Sequence, residues 1–469
     1  MNQLDAELVA EVLRASGASV VDEPEAADVL LFVTCSVRAH AENRVFSNIG
    51  KLGTRKAREP GLVIGLLGCM AQQHGPALRQ RAPLVDLVCA PGRLAELPAL
   101  IAEARASRGR LIIALDPTRA PQAGRLNAAM GDAVVPFDQP FAISDAALDE
   151  AEVRRPLGGS AGGQAYVVAM RGCDNFCSYC VVPYVRGPER SRPPSAILQE
   201  VRRMVQEGAR QITLLGQAVN KYAATETGRR WDLADLLAEA GAAPGLARLS
   251  FITNHPGAMT EHLARVFRDV PKVCPYLHMP AQSGSDAVLA RMNRGYTAAE
   301  YLDRVALVRA IRPDVAVASD FIVGFPGESE ADFEATMDLV RCVRFSSAFV
   351  FKYSPRPGMG AAKRFPDDVP DAEKRRRHAA LLALVEEVSG EVNRGMVGLA
   401  VRVLVEEVSP LGRRNPKSEN RNPKGVQLRG RTPTHHIVVF DGPPQLVGSE
   451  VDVRVTASSP LTLFGSLIL

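Results

Sequence analysis

Three of the eight cysteines stand on one short stretch, Arg171-Gly172-Cys173-Asp174-Asn175-Phe176-Cys177-Ser178-Tyr179-Cys180, spaced C-x3-C-x2-C. Three thiolates on one tight loop can hold three irons of a cubane cluster, whose protein ligands are dominated by cysteine sulfur. The fourth iron then stays open, and an open metal position is what a reaction needs. Zinc is the competing occupant. It prefers four ligands in paired C-x2-C spacing, and no fourth Cys or His lies close in sequence. Cys35 and Cys69 each follow an apolar run, which puts them at the carboxyl edge of a parallel sheet, where α/β folds hold ligands. Either one alone reads as a small buried hydrophobe; the two together suggest a shared site. Cys89 also follows a strand and is an alternative ligand, while Cys274 and Cys342 read as core.

The elements that must position these cysteines follow from periodicity. Leu8, Val9, Val12 and Leu13 share one helical face over 5–16, and Gly17 stops that helix. The runs 28–34, 62–68 and 85–88 predict buried parallel strands. Residues 1–114 therefore form an open parallel α/β domain. The Pro-, Gly- and Ala-rich stretch 115–162 is mostly linker. From 163 to 395 strands and helices alternate. Strands are predicted at 165–170, 211–216, 248–253, 273–279, 315–324 and 346–352. Helices are predicted at 195–207, 232–240, 260–268, 286–292, 298–311, 330–343 and 371–395. Six right-handed βα units make a partial (β/α)6 barrel, with the cysteine loop just after its first strand, where barrel active sites sit. Residues 396–469 alternate polar and apolar between Gly, Pro and Asn, which predicts a small all-β domain. The fold class is α/β with that β domain appended.

The chain carries 56 Lys and Arg against 52 Asp and Glu, a net charge of +4 that identifies no partner. The distribution is more telling, because 411–431 holds seven basic residues and one acid, Glu419. A flexible, merely soluble loop would have a similar composition. No apolar run reaches membrane-span length, and the first residues lack a signal-peptide pattern, so a cytoplasmic, monomeric protein is expected. Eight cysteines in such a reducing compartment are not a disulfide framework.

The cysteine loop, with Tyr179 just before its last cysteine, closely resembles the radical S-adenosylmethionine signature. So do Leu215-Gly216-Gln217, Gln282-Ser283-Gly284-Ser285 and the stretch Asp320 to Glu328. The resemblance implies a [4Fe–4S] cluster on Cys173, Cys177 and Cys180 that cleaves S-adenosylmethionine to a 5′-deoxyadenosyl radical. It gives Tyr179, Gly216, Gln217, Gln282, Ser283, Ser285 and Asp320 as cofactor contacts, with ordinary βα-turn chemistry the alternative for each. Val33-Thr34-Cys35-Ser36-Val37-Arg38 and Gly68-Cys69-Met70-Ala71-Gln72 resemble the N-terminal motifs of the methylthiotransferases. Cys177 to Gly187, Gly216 to Tyr222, Met292 to Thr297 and Tyr353 to Gly358 resemble the tRNA branch of that family, and the tail resembles its TRAM domain.

Membership implies a second [4Fe–4S] cluster at Cys35 and Cys69. Its first ligand would lie in a Gly-Cys-x-Met-Asn motif that Met1-Asn2 continues: either the start lies further upstream, or the chain is truncated, or the cluster is incomplete, with two of its usual ligands. It further implies transfer of a methylthio group to carbon 2 of N6-isopentenyladenosine, 3′ of the tRNA anticodon. A low-potential donor such as flavodoxin or ferredoxin would supply electrons. Arg186, Arg190, Arg192, Arg429 and Arg431 are candidate RNA contacts, with paired or solvated arginines the alternative. Three other readings stand beside this one: a substrate of threonylcarbamoyl-adenosine, a ribosomal-protein substrate, and an RNA-binding protein whose N-terminal cluster is inactive.

Overall fold

The strands predicted for the first domain form because their side chains are apolar on both faces. In the computed structural model, which describes residues 2–35, 39–116, 134–136, 149, 152, 162–356, 358–409 and 426–468, β1 (Val29–Thr34), β2 (Val63–Gly68) and β3 (Leu87–Cys89) lie side by side and parallel. Two further strands extend this sheet, β4 (Leu111–Ala114) and β5 (Val134–Pro136), giving the order β1-β2-β3-β4-β5. β5 falls inside the stretch expected to be linker; three residues are too few for a periodic signal, so only pairing to β4 reveals it. Most of the remaining linker lies outside the described residues. One face of the sheet packs Leu87, Cys89 and Ile112 against Leu8, Val9, Leu97 and Leu100 from the helices Asn2–Ala15 and Leu97–Ala106. The other packs Ile64, Leu66 and Val88 against Ile49, Met70 and Leu78.

The chain divides into two units. The first comprises Met1–Pro156, Arg171–Phe176 and Cys180–Arg190; the second comprises Leu157–Met170, Cys177–Tyr179 and Ser191–Leu469. The two-residue strands β7 (Met170–Arg171) and β8 (Arg190–Ser191) bracket the cysteine loop in sequence.

In the second unit all six predicted barrel strands appear: β6 (Gln164–Val168), β9 (Gln211–Leu215), β12 (Arg248–Ile252), β13 (Tyr276–His278), β14 (Ala316–Val323) and β15 (Ser347–Lys352). They pair in parallel as β6-β9-β12 and β13-β14-β15, and a parallel bridge between Leu249 and Val273 joins the two sets into one arc. A hairpin, β10 (Ala223–Glu226) with β11 (Arg229–Asp232), interrupts the βα rhythm and was not expected. Alternation along each strand sorts the side chains. Val167, Ile212, Leu214, Leu249, Phe251, Leu277, Phe321 and Val323 pack against the surrounding helices. Their neighbours face the inside of the arc. The helix Asp371–Arg394 closes the outer layer with Leu381, Leu384, Val385 and Val388.

The tail is all-β as expected. β16 (Ala400–Val408), β17 (Val426–Arg431), β18 (Ile437–Gly442), β19 (Glu450–Ser458) and β20 (Leu463–Leu467) close a barrel in the order β16-β17-β18-β20-β19, around Val403, Val405, Leu428, Phe440 and Val453. It docks on the amino-terminal end of the arc. The Arg248 guanidinium, 3% exposed for the whole residue, pairs with Glu450 at 2.7 Å and donates to the Arg431 carbonyl at 2.7 Å. Gln164 donates to Glu406 at 2.6 Å. His435, in the β17–β18 turn, stacks on Tyr276 with centroids 4.1 Å apart and bonds Ser250 at 3.1 Å.

Candidate active site

The cysteine loop turns where its glycine allows. Gly172 has φ +71°, and a Cβ there would meet the Pro188 carbonyl oxygen at 1.8 Å. Phe176 takes φ +47° without that freedom, a strained value of the kind that clusters at functional sites. Cys173 and Cys177 are buried, Cys180 is half-buried, and none is in a disulfide. The Cys173 N–H donates to the Gly187 carbonyl at 3.1 Å. The Val182 N–H points at Cys180 Sγ at 3.5 Å. Ser178 is held from both sides: its N–H donates to the Met292 carbonyl at 2.9 Å, and its hydroxyl donates to the Arg291 carbonyl at 2.8 Å.

Cys177 has a partner that residue type alone did not reveal. Arg294, 7% exposed, donates through Nη1 to Cys177 Sγ at 3.1 Å. Its Nε donates to the Tyr296 oxygen at 3.0 Å, and the Tyr296 hydroxyl in turn donates to the Ala281 carbonyl at 2.9 Å. Burial works against the charge of Arg294. Tyr179, Tyr296 and Cys177 outweigh it and hold the pKa well above the ordinary arginine value. N–H donors aimed at cysteine sulfurs are the kind of contact that tunes an iron–sulfur cluster. The family-like segment Met292 to Thr297 was the available signal for Arg294.

Other expected cofactor contacts lie at the carboxyl ends of the arc strands. Gly216 follows β9, and a Cβ there would meet Met170 Cγ at 2.6 Å; Gln217 is half-buried beside it. Tyr179 stands edge-on to Phe325, centroids 6.5 Å apart. Gln282 has φ +69°, and its N–H donates to the Asp320 carbonyl at 2.9 Å. The Asp320 carboxylate lies 3.5 Å from His278 Nε2. Two of the expected contacts also have turn partners. Ser283 bonds Thr336 at 3.2 Å, and Ser285 caps the helix Asp286–Arg291 while bonding Asp332. Both hydroxyls therefore serve the turn, which is the alternative reading of that motif. His255, edge-on to Tyr296 at 5.5 Å, was also missed. Burial, then the charges of Arg294 and Lys221, push its pKa down to about 3, so it is neutral at pH 7.

In the first unit Thr34 and Gly68 are register partners, so Cys35 and Cys69 each follow a paired residue at the same sheet edge. Gly68 has φ +94°, and a Cβ there would meet the Thr34 carbonyl oxygen at 2.7 Å. Cys69 opens the helix Cys69–His74 and is 5% exposed. Arg186 does not face solvent. Its side chain is 8% exposed, pairs with Asp5 and hydrogen-bonds Cys69. Burial raises the Cys69 pKa, Arg186 lowers it, and Asp5 and Cys35 raise it again. Ser36 to Arg38 lie outside the described residues.

The remaining candidates divide. Arg192 is 1% exposed, pairs with the buried Glu200 at 2.7 Å and donates to the Val168 carbonyl. It is a core ion pair, which corrects its expectation as an RNA contact. Arg190 is exposed. Arg429 and Arg431 are half-buried and pair with Glu407 and Glu406 across the tail barrel. The basic run from 411 lies outside the described residues up to 425. Cys89 is fully buried in β3 among Leu8, Leu97 and Leu100, where burial pushes its thiol pKa up. Cys342 is exposed, not core as expected.

This arrangement defines a class before it defines a family. Residues 167–340 match the Radical SAM superfamily, residues 1–90 match Uncharacterized protein family UPF0004, and residues 394–468 match the TRAM domain. Among solved structures, the radical S-adenosylmethionine methyltransferase TsrM from Kitasatospora setae shares the fold, with a TM-score of 0.51 and 15% identity over 76% of this chain and 72% of that one.

Two curated relatives span nearly the full length. A tRNA-2-methylthio-N(6)-dimethylallyladenosine synthase of Rhodopirellula baltica is 42% identical over 99% of this chain and 93% of its own length. One from Chromobacterium violaceum is 42% identical over 100% and 96%. The chain belongs to the family of tRNA-2-methylthio-N(6)-dimethylallyladenosine synthases. No helix among the described residues is long and apolar enough to cross a membrane.

Proposed function

We propose that this protein adds a methylthio group to carbon 2 of N6-isopentenyladenosine in tRNA. The observation that carries the reading is the C-x3-C-x2-C loop after β6, with a buried guanidinium donating to Cys177, in a chain with full-length relatives of that name. Cys173, Cys177 and Cys180 would hold an iron–sulfur cluster. Such a cluster, when bound, supplies reductive cleavage of S-adenosylmethionine, a route to a base C–H bond that acid–base chemistry cannot open.

The chain's own residues have separable tasks. Arg294 places a positive charge and an N–H on one ligand sulfur. Tyr179 and Asp320 are proposed cofactor contacts with Gly216, Gln217 and Gln282. Cys35 and Cys69 are proposed ligands of a second cluster, with Arg186 as the cation beside Cys69. The TRAM barrel and Arg190 are the proposed RNA grip. A monomer that takes electrons from a low-potential flavodoxin or ferredoxin in the cytoplasm completes the reading. It is tested on tRNA nucleosides from cells lacking the gene. Isopentenyladenosine should accumulate without its 2-methylthio group. Persistence of the methylthiolated nucleoside contradicts it.

A further inference from the structure

Within the second unit, the inner face of the arc is unlike its helix-covered face. Its amino-terminal end is shut by the tail barrel, through Arg248 on Glu450 and the Tyr276–His435 stack. Further up, an exposed aromatic side chain, Phe349, stands beside a half-buried one, Phe351. On β15, Ala348 and Val350 pack toward the helices, so Phe349 and Phe351 point inward. Phe349 is 61% exposed, and its ring lies 6.4 Å from that of Phe351 at an interplanar angle of 26°. Their register partners on β14 are Asp320 and Ile322, also on the inner face. The carboxylate of Asp320 is steadied by His278.

We infer that Phe349 and Phe351, with Ile322 beside them, form the seat for the prenylated adenine of the substrate RNA, and that Phe349 sets the preference for a prenylated over a plain base. The inference rests on the methylthiolation reading above. Phe349 offers an exposed apolar ring face to a purine, with the near-parallel Phe351 ring beside it, and single-stranded loops present their bases for such stacking. An isopentenyl arm adds an apolar branch that a polar wall would reject and that Ile322 and Phe351 can cover. A structural role does not account for Phe349. It lies on a strand whose other face supplies the core, and its own side chain is mostly in water.

The test uses the full-length, cluster-reconstituted protein and two anticodon stem-loop RNAs, with and without the N6-isopentenyl group. Binding of each is measured for wild type, F349A and F349W, together with S-adenosylmethionine affinity. In F349A the Kd for the prenylated RNA should rise roughly five- to one-hundred-fold, the loss expected for one stacked base, and the preference over the plain RNA should vanish. F349W, which keeps a flat ring, should restore the preference. F349A with the wild-type preference overturns the inference. So does an equal loss of S-adenosylmethionine affinity in F349A, which gives the wall to the cofactor. A wild-type protein that binds both RNAs equally and methylthiolates neither overturns the inference and the parent reading together.

Discussion

Replacing Arg294 by methionine keeps an unbranched apolar stem and removes the charge and donors. The local cost to the fold is small. Tyr296 still donates to the Ala281 carbonyl, and the Pro280 carbonyl that Arg294 touches at 3.4 Å still faces the Tyr296 hydroxyl at 3.2 Å. What changes is Cys177, which loses an N–H donor at 3.1 Å. A hydrogen bond to a charged group contributes about 1.5–3 kcal/mol. A one-electron couple shifts by 59 mV for each factor of ten, or about 1.4 kcal/mol; only the part of the bond that strengthens on reduction moves the potential, so the change is at most roughly 60–130 mV. The sign follows from charge. Reduction adds an electron beside the guanidinium, so removing the guanidinium makes reduction harder and lowers the potential. The assay is a redox titration of the reconstituted protein followed by electron paramagnetic resonance, with iron content as the control. Arg294→Lys, which keeps the charge but not the forked donor geometry, should fall between. An unchanged potential in R294M at equal iron content would refute the role given to Arg294.

Three other outcomes follow from the structure. His435 is held near pKa 3 by burial, then by the charges of Arg431, Arg248 and His436. Folding therefore favours its neutral form: its contribution is complete above the unfolded value near 6.5 and is lost progressively as pH falls toward 3, by about 1–2 kcal/mol at pH 5. His435→Asn, which tolerates the φ of +63°, should flatten that loss in denaturant melts run across pH. Arg192→Ala should cost about 3–5 kcal/mol by removing the cation that pairs with the buried Glu200, seen as a lower melting temperature. The folded fraction should bind tRNA as the wild type does, and selective loss of RNA affinity would return Arg192 to the interface. Cys89→Ala should cost about 1 kcal/mol of packing and leave iron content unchanged; lost iron would make Cys89 a ligand.

The strands that are buried on both faces were legible because they read as continuous apolar runs, and all six of the barrel strands lie where such runs predict them. β5 was not, because three residues in a Pro- and Gly-rich stretch carry no period. The cysteine loop was legible through its spacing. Its surroundings were not, because a residue's type does not report its burial. Arg186, Arg190 and Arg192 look alike in sequence. In the structure one lies against Cys69, one is exposed and one is a core ion pair. Ser283 and Ser285 are ambiguous for a related reason: short hydroxyl residues next to a strand serve caps and turns as readily as ligands. The run Ser347 to Lys352 hid Phe349 because an unbroken apolar strand does not say which face meets the core and which is left open.

The most direct test of the central claim is a single incubation. Reconstituted protein, S-adenosylmethionine, a low-potential reductant and isopentenylated tRNA are combined, and the tRNA is digested to nucleosides for mass spectrometry, with Cys177→Ala run in parallel. The account predicts 5′-deoxyadenosine and 2-methylthio-isopentenyladenosine from the wild type and neither from C177A. Formation of the methylthiolated nucleoside by C177A, or 5′-deoxyadenosine formed by C177A at the wild-type rate, would contradict it.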